Sequence, residues 1–137
     1  LRGLVGSEMC IRDSFIVNNT IVNDRRNGVF IKNRQPDGKV YVYNNIFAGD
    51  GKLSTMDIDA ANNLIVPSRA ESPFANWEGY DYRLAPGSKA IDAGRYVEAF
   101  EDVSLTPALE IGQGPGTVPR PAVGAIDIGA FEYRDEN

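Results

Sequence analysis

Histidine is absent from this sequence of 137 residues, and cysteine occurs once, at Cys10. A single thiol cannot form an intramolecular disulfide, and one Cys without His excludes the common zinc sites. The missing imidazole also removes any Ser–His–Asp or Cys–His nucleophile. Basic residues are outnumbered, 14 Lys and Arg against 19 Asp and Glu, for a net charge of −5. Nucleic-acid binding draws on clustered Lys and Arg, so that partner is not expected. No apolar run approaches the roughly 20 residues a membrane-spanning helix needs. Turn formers are plentiful, with 14 Gly and 8 Pro. What remains is an acidic, turn-rich domain long enough to bury a core.

The segment Leu4-Val5-Gly6-Ser7-Glu8-Met9-Cys10-Ile11-Arg12-Asp13-Ser14 resembles the translation of a transposase-type DNA sequencing adapter. It lacks the basic start, long apolar stretch and small-residue cleavage site of a signal peptide. Residues 1–14 are therefore expected to be foreign to the native protein. On that reading the native part begins at Phe15, in mid-gene, and any signal peptide lies upstream. Cys10 leaves with the leader.

Three segments then echo one another: Asn18-Asn19-Thr20-Ile21-Val22, Asn44-Asn45-Ile46-Phe47 and Asn62-Asn63-Leu64-Ile65-Val66. Each sets two Asn before a short run of β-branched or large apolar residues. Such runs, bounded by Gly, Asn, Asp or Pro, read as strands. No helical period runs through 15–66. Asn tolerates the left-handed backbone region, so each pair predicts a sharp turn. Stacked turns would let the side-chain amides bond in a ladder, since each amide carries two donors and an acceptor. The spacing fits coils of roughly 20–25 residues stacked as a parallel β-solenoid. Asn27-Gly28 and Asp37-Gly38 are also hairpin signals, which keeps an antiparallel sandwich as the competing reading.

The C-terminal half carries two further motifs. One is Asp81-Tyr82-Arg83-Leu84-Ala85-Pro86-Gly87-Ser88-Lys89-Ala90-Ile91-Asp92-Ala93-Gly94. The other comprises Pro119-Arg120-Pro121, Gly124 and Asp127-Ile128-Gly129-Ala130-Phe131-Glu132-Tyr133. Together they resemble the end of secreted right-handed parallel β-helix proteins of the pectate-lyase-like superfamily. More narrowly, they resemble the choice-of-anchor type C-terminal region often attached to them, which usually has Pro where Lys89 stands. The resemblance implies an all-β, single-stranded right-handed parallel β-helix. Residues 15–66 would be its last two or three rungs and 67–137 a C-terminal cap, with an irregular loop at about 95–118. The cap is expected to cover the open end of the core, its last strand joining an exposed edge. Asp127 and Glu132 are expected to face polar surroundings.

The same resemblance implies an extracellular or cell-surface bacterial protein, monomeric at full length, that meets anionic polysaccharide. Lyases of this superfamily commonly use Lys or Arg as base with acid-bound Ca²⁺, and hydrolases use paired carboxylates. The parent is then an enzyme whose groove lies mostly upstream, this part being inactive, or a non-catalytic adhesion stalk. Fold alone does not choose between them.

Residue types supply the candidates. Asp57 and Asp59 alternate with Met56 and Ile58, so in a strand they would share one face and offer oxygen ligands to Ca²⁺. Residues 15–39 hold Arg25, Arg26, Lys32, Arg34 and Lys39 against Asp24 and Asp37, a basic end able to attract an anionic chain. Arg25 and Arg26 lead this set. Trp77, Tyr80 and Tyr82 offer aromatic faces for sugar rings or apolar mass for a core. Gly112-Gln113-Gly114-Pro115-Gly116 lacks the Lys-Ser/Thr of a phosphate loop and reads as a plain loop.

Overall fold

A computed structural model describes residues 13–32, 34, 38–100, 102–112, 114–122 and 124–134. It is all-β apart from one turn of 3₁₀-helix at Arg69–Glu71. Eight short strands come first: β1 (Ser14–Val17), β2 (Thr20–Asn23), β3 (Val29–Ile31), β4 (Val40–Tyr43), β5 (Ile46–Gly49), β6 (Lys52–Ser54), β7 (Asp59–Ala61) and β8 (Leu64–Val66). They pair in parallel as three sheets, β1–β4–β7, β2–β5–β8 and β3–β6. Parallel pairing excludes the hairpin reading of Asn27-Gly28 and Asp37-Gly38, the second of which lies partly outside the described residues.

The Asn pairs set the corners. Asn18, Asn44 and Asn62 take φ of 55°, 60° and 56°, which turns the chain from one sheet into the next. The second Asn of each pair forms a ladder. Asn19 Nδ2 donates to Asn45 Oδ1 at 3.2 Å, and Asn45 Nδ2 donates to Asn63 Oδ1 at 3.1 Å. The two steps span 26 and 18 residues.

Strand alternation then sorts side chains between two cores. Ile31, Val40, Val42 and Phe47 form one cluster with Ile16, Ile21, Phe30, Leu53 and Ile58, drawing on all three parallel sheets. Ile46, Ala48 and Val66 point through the opposite face of β2–β5–β8. They meet Phe74, Trp77, Leu84, Ala90 and Ile128 from the C-terminal region. Ile46, Phe47 and Ala48 are all fully buried, so β5 is covered on both faces.

The C-terminal region differs from the expectation in three ways. Its apolar side chains pack on that sheet face rather than over the end of the first core. Ile65, in register with Phe47, stays 50% exposed. The final motif adds no strand to an edge, because its amides find other acceptors: Ile128 N–H donates to Ala90 O and Gly129 N–H to Asn44 O. Gly129, at φ 100°, comes so close that a Cβ would stand 2.6 Å from Ile46 Cδ1. The stretch at 95–118 is also not wholly irregular. β11 (Leu109–Ile111) and β12 (Thr117–Pro119) pair antiparallel around the Gly-rich segment, closed by Gly112 N–H donating to Gly116 O. β9 (Phe74–Asn76) and β10 (Asp81–Leu84) form a second antiparallel pair.

Of the leader, residues 1–12 lie outside the described residues. Ser14 opens β1 opposite Val40, and Asp13 Oδ1 accepts the Lys39 N–H at 2.9 Å. Among the described residues no helix is long and apolar enough to cross a membrane.

Candidate functional site

The turn between β2 and β3 is built by its own polar side chains. Asn23 Oδ1 accepts the Arg25 N–H at 3.0 Å, and Asn23 Nδ2 donates to Asn27 O at 2.9 Å and Asp50 O at 2.6 Å. Asn27 and Gly28 follow with φ of 64° and 124°. These constraints hold the tip out of the fold and leave Arg25 and Arg26 exposed. Among the described residues neither arginine enters an ion pair.

Both arginines line two adjoining clefts. One, of about 400 Å³, runs along Ile21–Asn23 and Asn27–Phe30. The other, of about 200 Å³, lies between the turn, Gly49-Asp50, Pro67–Arg69 and Trp77. Asp24 ties the second cleft together. Its Oδ1 accepts Trp77 Nε1–H at 3.2 Å and Arg69 Nη2–H at 3.3 Å. Arg69 also lies over the Trp77 ring, 5.5 Å from its centroid, and 3.8 Å from Glu78. The Tyr82 hydroxyl is pushed above the usual phenol range, by burial first and then by the Asp24 charge.

The structure therefore brings Arg25, Arg26 and Trp77 to one place but changes the role of Trp77. That indole is 5% exposed, with one contact to Arg69 and an edge-on contact to Phe74 at 5.5 Å. It is a wall of the site, not a free stacking face. Tyr80 is the open aromatic, 74% exposed and at φ 62°, a left-handed conformation held by its N–H to Trp77 O. Arg69 and Asp24 complete the cleft. The sequence signal for Asp24 was its place directly before the arginine pair, while Arg69 carries none.

Asp57 and Asp59 do not share a strand face. β7 begins at Asp59, and Asp57 lies outside it, exposed. Asp59 sits in register with Tyr41, and the Tyr43 pKa is raised by burial first and then by the neighbouring Asp59. Among the described residues no three His, Cys, Asp or Glu side chains group as a metal site.

The acids of the final motif do meet polar surroundings, but inside the protein rather than at its surface. Asp127 and Glu132 are buried, and both accept hydrogen bonds from the surrounding chain. Glu132 Oε2 accepts Arg120 Nε–H and Nη2–H and the Asp127 N–H, all at 3.0–3.2 Å. Asp127 Oδ1 accepts the Asp92 N–H at 2.6 Å, and Oδ2 accepts the Tyr133 N–H at 2.5 Å. Burial raises the Glu132 pKa, against the pull of the Asp127 N–H and of Arg120. These bonds fasten the final segment to the rest of the protein.

Compared with models of protein families, with curated proteins and with solved structures, the chain matches none. What stands is an all-β protein with parallel sheets, and an arginine couple, unpaired among the described residues, beside a tryptophan-walled cleft.

Proposed function

We propose that this chain is the C-terminal part of a secreted β-helix protein that binds or processes extracellular anionic polysaccharide. In the finer fold reading, the three parallel sheets are the three faces of one right-handed β-helix. The common core drawn from all three sheets and the Asn ladder at one corner support it. The observation that carries the function is the pair Arg25 and Arg26, exposed, without carboxylate partners among the described residues, on a tip held by Asn23. Guanidinium groups match carboxylates in shape and charge and keep their proton at all relevant pH. Successive uronate carboxylates along a sugar chain would meet them, with Tyr80 available to a ring.

The test is affinity electrophoresis of the chain through gels containing polygalacturonate or alginate, against neutral dextran. Retardation by the uronate polymers alone, lost in the double variant Arg25→Ala/Arg26→Ala, is the expected outcome. Equal mobility in all gels overturns the reading. Ca²⁺ held by carboxylates of a longer parent belongs to the same proposal, and the Asp57/Asp59 pair gives it no geometry here.

A further inference from the structure

A third cleft, away from the arginine tip, has a different chemistry. It measures about 310 Å³ and lies between the Asn18 and Asn44 corners, the start of the 95–118 stretch and Ala125-Ile126. Val97, Leu105, Pro107, Ala125 and Ile126 give it apolar walls. The two Asn side chains on its floor are already spent. Asn18 Nδ2 donates to Asp127 O and Gly129 O, while Asn44 Nδ2 donates to Arg95 O at 2.7 Å and Asn44 Oδ1 accepts Arg95 N–H at 3.0 Å. A guest would meet little competing polarity there.

One formal charge remains, that of Arg95, which lines this cleft. Asn44 clamps its backbone by the two bonds just given. Its guanidinium lies over the Tyr43 ring, 4.8 Å from the centroid, and no carboxylate among the described residues pairs with it. The cation is thus placed before any ligand arrives, which lowers the ordering cost of binding. A cavity of about 150 Å³ accepts benzene, so about twice that volume suits one ring with a short chain.

We propose that this cleft binds a free small amphipathic carboxylate, its apolar body between Leu105 and Ile126 and its carboxylate on Arg95. Arg25 and Arg26 do not line this cleft, so the two proposals stand or fall separately.

Isothermal titration of the full chain with 3-phenylpropionate, 3-phenylpropanol and propionate tests it. The expected Kd for the aryl acid is about 0.1 mM, in line with ordinary ligand efficiency for some eleven heavy atoms. The alcohol, lacking the charge, and propionate, lacking the ring, should each bind roughly tenfold more weakly or worse. Arg95→Gln should bring the acid down to the alcohol, and Ala125→Trp should abolish binding of both. Arg25→Ala/Arg26→Ala should leave all values unchanged. Absence of saturable binding overturns the proposal, as does equal affinity for acid and alcohol in the unmutated chain, a comparison that needs no variant to fold.

Discussion

Asn45 is buried completely, yet each of its polar atoms is engaged. Its Oδ1 accepts both the N–H and the Nδ2–H of Asn19, and its Nδ2 donates to Ile16 O, Tyr43 O and Asn63 Oδ1. Removing the amide strands several backbone groups away from water, which is the expensive way to lose a hydrogen bond. Asn19 occupies the same turn position one layer away but is exposed, so water replaces what its side chain loses. Asn45→Ala should therefore destabilise the chain by about 2–4 kcal/mol and Asn19→Ala by under about 1 kcal/mol. Urea unfolding reads both, as a fall in midpoint at constant slope. Equal losses in the two variants would mean that the ladder is not a buried device. Pairs of adjacent Asn before apolar runs are visible in the sequence because only a few residue types tolerate the left-handed turn. That is why the corners were legible there. Trp77 was not, because an indole reads alike whether it faces a sugar or walls a cleft; its 3.2 Å bond to Asp24 reaches across 53 residues.

At the level of elements, the strand runs were legible through alternation, as in Val40-Tyr41-Val42-Tyr43, where the valines enter the core. The β11–β12 hairpin was hidden, because its Gly-rich turn has loop composition whatever flanks it. Which surface the C-terminal region covers was hidden too. Ala90 and Ile128 suit any apolar face, and the shape of Ile46, Ala48 and Val66 decides. The last segment is secured by charge buried among its own backbone, and this has a pH consequence. Arg120 and Glu132 are each 2% exposed and face Asp127, while Arg134 pairs with Glu110, whose Oε2 accepts the Glu132 N–H. With its pKa raised by burial, Glu132 releases its proton at a higher pH in the folded state than in the unfolded chain. Its contribution is complete below the ordinary carboxylate range and is lost as pH climbs through the raised value. Asp81, lowered chiefly by its hydrogen bond from Arg83, runs the opposite way, but that partly exposed pair is screened by solvent. Glu132→Gln removes the titration. The stability of the unmutated chain relative to this variant should fall between pH 4 and pH 7. Thermal unfolding at the two values checks it, and a relative gain toward pH 7 would reverse the sign argued here.

For the whole molecule, layering creates edges. Among the described residues β1, β2 and β3 each pair on one side only, and so do β6, β7 and β8 at the other end of the stack. Unpaired strand edges are templates for a further strand, whether from the same chain or another. The second of these ends also shows apolar side chains: Ile65 at 50% and Met56 at 43% exposure. Ile65 stands in register with Phe47, on the side of the sheet that holds the first core, so the end of that core is partly open. Open backbone and open core at one place favour association of like ends, and inward-pointing charge is the usual defence. Ile65→Lys supplies that charge at a site where the native side chain is only half buried. It should change the unfolding midpoint by no more than about 1 kcal/mol in stability, whereas Phe47→Ala, in the closed part of the same register, should lose about 3–5 kcal/mol. The chain should form higher-mass species as its concentration rises, seen by light scattering after size exclusion, and Ile65→Lys should suppress them several-fold. A strictly monomeric chain at high concentration, or association indifferent to Ile65→Lys, would show that this end is not the adhesive one and that the edges are protected by other means.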